Sequence, residues 1–186
     1  SSRVHVGQGT TNRKFYFDNF FLEILWVHNE EELKSDTTKS TGLWQRADFN
    51  SPNSRFGLCI VNTDETESLF EKAFKYQPAY FPVGLYIDIL RNEQNLNLPW
   101  TFRLPFKGQK KNDTEPTEHK NGLRNLTKVE FGIKNYNEKD EFINQFEGQE
   151  KIKFTFSETN NLTLTFDSNK NGLTREIDEL NLKIKY

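Results

Sequence analysis

Methionine is absent from this sequence and cysteine occurs once, at position 59. A lone cysteine excludes an intrachain disulfide framework and a zinc cage built of thiolates. No apolar run approaches the roughly 20 residues that a membrane-spanning helix needs, and no signal-peptide pattern opens the chain. Neither sign of charge dominates: 25 Lys and Arg stand against 27 Asp and Glu, interspersed, for a net charge of −2. That balance gives no electrostatic footprint for nucleic acid and no attraction to anionic membrane. The sequence also lacks a GxSxG elbow, a P-loop, a GxGxxG turn after a strand and an HExxH helix. His5, His28 and His119 show no metal-ligand spacing. These absences leave a cytoplasmic protein as the expectation.

What the chain has in quantity is aromatic side chains, with 17 Phe, 6 Tyr and 3 Trp among 186 residues, enough for one domain or two small fused modules. Its densest stretch is 4–27, VHVGQGTTNRKFYFDNFFLEILWV, which reads as a turn-rich lead-in and a β-hairpin turning at Asp18-Asn19. Phe15 and Phe17 alternate on the first strand. On the second, Phe21, Leu25 and Val27 face one way and Leu22, Ile24 and Trp26 the other, so that strand is expected to be covered on both faces. Glu23 then shares a face with Phe21 and Leu25, where an ionised carboxylate needs a cation, a metal or a set of donors. Two readings stand: Glu23 is paired with a buried Arg or Lys or lies at an exposed sheet end, or it belongs to a functional site. His5 comes near it if the turn folds over the sheet.

Further along, Trp44 and Arg46 would share one face of an extended segment, for an anionic ligand or as a surface cation–π pair. Residues 56–61 read as a buried strand holding Cys59 as a packed thiol, and 62–74 as a helix capped by Asp64. Proline braces an aromatic turn, YQPAYFP, at 76–82, and 83–90 and 100–106 read as strands. Asp88 is either a second site carboxylate or the exposed side of an edge strand. Residues 107–122 form a polar loop with His119 solvated near its end. Beyond it come a strand at 128–134, a helix at 138–146, strands around Ile152–Phe156 and Leu162–Phe166, and a terminal strand reaching Tyr186. The pair 151–157 and 161–167 mirrors the first hairpin, which predicts an internal repeat.

The runs GTTNRKFYF, FFLEILWV, LWQR, YQPAYFP and NGLRNLTKV together resemble a glyoxalase-like domain of the vicinal oxygen chelate superfamily. The resemblance implies an α+β fold of paired βαβββ modules, with curved, mainly antiparallel sheets enclosing a pocket. It divides the chain into a first module at 1–106, a loop at 107–122 and a second module at 123–186. The family starts with a strand and helix ahead of this point, so a segment upstream of Ser1, carrying a metal-ligand histidine, is expected in the native protein. In metal-dependent relatives the glutamate matching Glu23 binds the metal, but Phe56-Gly57 stands where another ligand histidine would be. With one ligand position visible, no tightly bound metal and no cofactor are expected.

The resemblance and the residue reading together nominate Glu23 and His5 as catalytic candidates and Asn12, Trp44, Arg46 and Trp100 as ligand-binding candidates. The expected function is action of a lyase or dioxygenase type on a small organic molecule, or metal-free binding of one. A small-molecule ligand is the expected partner, without nucleic acid or membrane, and a homodimer is allowed.

Overall fold

A computed structural model describes residues 1–48, 50–108 and 114–186. Phe49 and the stretch 109–113, within the predicted loop, lie outside the described residues. Among the described residues, three short α-helices and three sheets of mostly antiparallel strands make a mixed α and β chain, in keeping with the α+β class. Among the described residues no sheet closes into a barrel, and no helix is long and apolar enough to cross a membrane. The chain divides into two compact units, Ser1–Lys14 with Glu23–Asp113 and Phe15–Leu22 with Thr114–Tyr186.

Strands β1 (Ser2–His5), β2 (Thr10–Tyr16) and β3 (Phe21–Val27) lie in that order in one sheet. The predicted hairpin is therefore present. Its second strand is not covered on both faces: β3 is an edge strand, and Ile24, Leu25 and Trp26 are all exposed. Helix α1 (Glu30–Lys34) follows, with the Asn29 side chain accepting from the backbone of Glu31 and Glu32 and satisfying two of the four amides a helix start leaves unpaired. Residues 43–47 are helical, not extended; they form α2 (Leu43–Ala47), entered through Gly42.

Strands β4 (Gly57–Cys59), β5 (Phe74–Tyr76), β6 (Ile87–Leu90) and β7 (Trp100–Arg103) make a second sheet in the order β4-β7-β6-β5. The helix expected over 62–74 is replaced by two single 3₁₀ turns, Asp64–Thr66 and Ser68–Phe70, followed by β5. Thr63 and Thr66 bond reciprocally across the first turn. The aromatic pair Phe74 and Tyr76 then settles into the period of a strand, packing with Ile87, Ile89, Phe81, Trp100 and Phe102. Tertiary packing of the aromatics overrides the helical spacing. Asp88 is not on an exposed edge either. β6 is interior, Asp88 is buried, and it meets Arg103 Nε at 2.9 Å and Lys75 Nζ at 3.1 Å. Arg103 also reaches Glu67 at 2.9 Å, so this cluster is internally neutralised.

The second unit is a five-stranded sheet of β8 (Leu126–Ile133), β9 (Ile152–Phe156), β10 (Asn161–Phe166), β11 (Thr174–Ile177) and β12 (Leu182–Lys185), in the order β11-β12-β10-β8-β9. Helix α3 (Glu141–Asn144) links β8 to its parallel neighbour β9, and its Phe142 packs on Phe154 at 5.6 Å, as does Phe146 just beyond it at 5.3 Å. The expected hairpin over 151–167 does not form. β9 and β10 lie on opposite sides of β8, because the crossover helix delivers β9 parallel to β8 and the return strand takes the free edge. The mirror of the first hairpin is lost with it.

Residues 15–22, the tip of the β2–β3 hairpin, belong to this second unit. Phe17 packs on Phe166 at 4.7 Å and on His119 at 4.3 Å. The Asn19 amide donates to the Leu126 carbonyl and accepts from its N–H, both at 2.9 Å. His119 is accordingly not a solvated loop residue: its Nε2 lies 2.7 Å from the Tyr16 carbonyl oxygen.

Candidate functional site

The antiparallel register of β1 and β2 sets Arg3 opposite Asn12 and His5 opposite Thr10, which brings these four residues to one face. Between them the turn at 6–9 closes through Gly7 and Gly9, both at positive φ. Their N–H groups donate to the same Glu32 carboxylate oxygen, at 2.9 and 3.1 Å, so α1 holds the turn from outside.

Asn12 is the centre of the arrangement. Its Oδ1 accepts the Arg3 backbone N–H at 3.0 Å, which leaves its Nδ2 to face the other way. Nδ2 donates to Glu23 Oε1 at 2.5 Å and lies 3.2 Å from His5 Nε2. A side-chain amide has two N–H groups and both are thereby used. His5 Nε2 must then accept, so the imidazole proton is on Nδ1, which lies 2.9 Å from Thr10 Oγ1. Gln8 completes the ring of contacts, with Nε2 donating to Thr10 Oγ1 at 2.8 Å and Oε1 accepting from the Tyr80 hydroxyl at 2.9 Å. The Tyr80 ring stacks on His5 with centroids 5.1 Å apart.

The electrostatics follow from burial and neighbours. Burial, then the Lys14 and Arg3 cations, push the His5 imidazole down to about 4, so it is neutral at pH 7. Burial raises the Tyr80 phenol, with Tyr76 and the Glu23 charge adding to the rise and Arg3 opposing it. Burial also pushes the Cys59 thiol up to about 12, with Glu23 adding and Lys14 opposing. That thiol is inert at neutral pH. The Glu23 charge is thus felt at both Cys59 and Tyr80.

The His5 shift gives a sign that can be checked. A base whose pKa is lowered on folding contributes stability that is present above its unfolded value of 6.5 and is lost as pH falls towards 4. Urea unfolding should therefore show a loss of about 1–2 kcal/mol between pH 6.5 and 4 once solvent screening is allowed for. His5→Gln should flatten that part of the profile, and a profile unchanged by His5→Gln would count against the neutral imidazole.

Of the sequence candidates, the structure brings together His5, Asn12 and Glu23. Glu23 meets an amide, and the arginines that might have paired with it are engaged elsewhere. Arg103 is held by Asp88 and Glu67, and Arg13 Nε points to Ser2 Oγ at 3.4 Å. Arg46 is buried, with its guanidinium donating to the carbonyls of Ser54, Leu96, Leu98 and Arg91. It supports loops and is not free to pair with a ligand. Trp44 lies under Lys34 Nζ at 3.9 Å, and Trp100 donates from Nε1 to the Thr41 carbonyl at 2.8 Å. Tyr80, Gln8, Thr10 and Arg3 join the cluster without having been singled out in the sequence. The runs GTTN and YQPAYFP carry Thr10 and Tyr80.

The donor set does not fit a metal ion. Glu23 Oε1 and His5 Nε2 both face N–H groups of Asn12, and among the described residues no group of three or more His, Cys, Asp or Glu stands close enough to hold one. No family model matches the chain, and no curated protein or solved structure matches it.

Proposed function

We propose that this chain is a glyoxalase-like protein of the vicinal oxygen chelate superfamily that binds a small, partly apolar organic molecule at the face carrying His5, Asn12 and Glu23. The observation that carries the reading is the Asn12 amide joining Glu23 to a neutral His5, beside a Tyr80 ring fixed at its hydroxyl by Gln8. Polar groups converge there on a carboxylate held without a cation among its described hydrogen bonds, next to an aromatic surface. The run FLEILW matches Glu23 to the metal-ligand glutamate of the family, and GTTN resembles the turn that precedes the family's strand. Further support comes from the β2–β3 hairpin and from the strand–helix–strand start of the second unit, both elements of a βαβββ module; in the family, such modules enclose a pocket.

The donor set favours binding without a metal over metal-dependent lyase or dioxygenase chemistry. What the residues supply is orientation: Glu23 accepts a ligand N–H or O–H, and the Asn12 amide fixes the carboxylate.

Thermal unfolding with a panel of aromatic and 2-oxo compounds tests this. A ligand at about 100 times its Kd should add roughly 2.7 kcal/mol, a rise of about 5–10 °C for a chain of this size. Glu23→Gln should melt close to the parent without ligand and lose most of the ligand-induced rise. Stabilisation by polyanions alone, or a rise untouched by Glu23→Gln, would refute the reading. Turnover of a stabilising compound would make the chain an enzyme, and one equivalent of zinc, nickel, iron or manganese in purified protein would overturn the metal-free reading.

A further inference from the structure

Arg3 brings a positive charge to this cluster. Its backbone N–H is used by Asn12, but the side chain is exposed, and among the described residues none of the ion pairs involves it. The guanidinium carbon lies 5.4 Å from the centroid of Tyr80, over the ring. That ring is a fixed platform: its hydroxyl is held by Gln8, it stacks on His5, and Phe81 meets it edge-on at 5.2 Å. A guanidinium held over an aromatic ring is oriented at little cost in further rotamer freedom, and its N–H fork stays available to a planar anion.

Resting on the proposed small-molecule reading, we infer that the ligand is a small organic carboxylate with a neighbouring hydroxyl, and that Arg3 selects it by binding the carboxylate. Both parts of that chemistry follow from the cluster. Arg3 and Lys14 both bear on His5, so the field on this side of the imidazole favours an anion. Glu23 repels a plain anion, and a ligand overcomes that by presenting a donor to it; a hydroxyl beside the carboxylate is the smallest group that does so. Arg3 thus acts in specificity. The Asn12–Glu23 pair, which receives the hydroxyl, is common to charged and neutral ligands.

Calorimetric titration with mandelate, its neutral amide mandelamide, and phenylacetate, which lacks the hydroxyl, separates these terms. The unmodified chain should bind mandelate about tenfold or more tightly than either of the others. Arg3→Gln should weaken mandelate about tenfold and leave mandelamide within about twofold, while the unliganded melting temperature stays within about 2 °C, since Arg3 is exposed. Arg3→Lys, which keeps the charge and loses the fork, should fall between the two and serves should Arg3→Gln not fold. Mandelamide binding as tightly as mandelate, or an equal loss for both ligands in Arg3→Gln, overturns the inference while leaving small-molecule binding intact. Binding of other panel compounds without any binding of mandelate does the same. Failure of every panel compound to bind defeats the small-molecule reading itself.

Discussion

Arg46→Ala is expected to cost about 3–5 kcal/mol of folding stability, among the largest effects of any single substitution away from the cluster. The guanidinium donates to four backbone carbonyls, at Ser54 (2.9 Å), Leu98 (2.8 Å), Leu96 (3.3 Å) and Arg91 (3.3 Å). None of these belongs to a helix or to the interior of a strand, so the side chain stands in for regular backbone pairing along 91–98. Removing it leaves a gap where the guanidinium was and takes a donor from the Ser54, Leu98 and Arg91 carbonyls, while Leu96 keeps the Ser54 N–H; each orphaned group costs roughly 1–3 kcal/mol unless water reaches it. Burial lowers the Arg46 pKa to about 10, which still leaves it charged at pH 7. Arg46→Lys should recover less than half of the loss, because one ammonium has three N–H groups on a flexible stem and cannot span four carbonyls. Urea unfolding is the measurement: the midpoint should fall with little change in slope. A loss below about 1 kcal/mol for Arg46→Ala would show that solvent replaces the guanidinium.

The same residue shows what could and could not be read from sequence. Leu43-Trp44-Gln45-Arg46 was legible as a unit with a polar task, but not as a helix, because five residues carry too little periodicity to distinguish a helical turn from an extended segment. Three of the four partners of Arg46 are backbone carbonyls 45 to 52 positions away, and a carbonyl leaves no trace in a sequence. Asp88 failed for a related reason. Alternation along VGLYIDIL placed it correctly on a face opposite Ile87 and Ile89, but its burial depends on β7 and β5 flanking β6, and on Arg103 lying directly opposite in the register. That is information about pairing order, which a strand does not carry within itself.

Where local chemistry decided, the reading agreed with the structure. The β2–β3 hairpin needs only Asp18-Asn19 between alternating apolar runs, and β8, α3 and β12 follow from period and capping alone. The error over β9 and β10 was one of topology: two consecutive strands with a short Ser-Glu-Thr-Asn connection look like a hairpin, yet β8 lies between them. For β3 the error was one of coverage. A strand apolar on alternating and intervening positions reads as buried on both faces, whereas its Ile24, Leu25 and Trp26 remain open at a sheet edge. In the cluster, Glu23 stood out because a carboxylate among apolar neighbours must be satisfied by something. The identity of its partner, Asn12, depended on Arg3 fixing the orientation of the amide through a backbone N–H, again invisible in side-chain chemistry.

The turn that positions His5 supplies the second large effect. Gly9→Ala is expected to destabilise the chain by about 3–5 kcal/mol, well beyond the usual cost of losing a glycine. Two penalties combine. Gly9 has φ +79°, a conformation that costs an L-residue about 1–2 kcal/mol. A β-carbon at this position would also lie 2.3 Å from the Asn29 carbonyl oxygen and 2.6 Å from the Leu33 nitrogen, both backbone atoms of or next to α1. Neither can rotate aside as a side chain would, so the turn and the helix must separate. Separation breaks the bonds that define the turn: the Gly9 carbonyl accepts from His28 and Asn29, and the Gly9 N–H donates to Glu32. Gly42 provides the control, since it has nearly the same φ, +76°, with nothing within 4 Å of an added β-carbon. Gly42→Ala should therefore cost only the conformational part, about 1–2 kcal/mol, and the difference between the two variants isolates the close approach of turn and helix. Equal losses in urea unfolding would mean that the helix yields freely and that the turn is not clamped by it. A clamped turn has a consequence for the cluster as well: any Gly9→Ala protein that still folds should show a weakened His5–Asn12–Glu23 arrangement. The His5 pKa should then return from about 4 towards 6.5, readable by NMR titration of the imidazole.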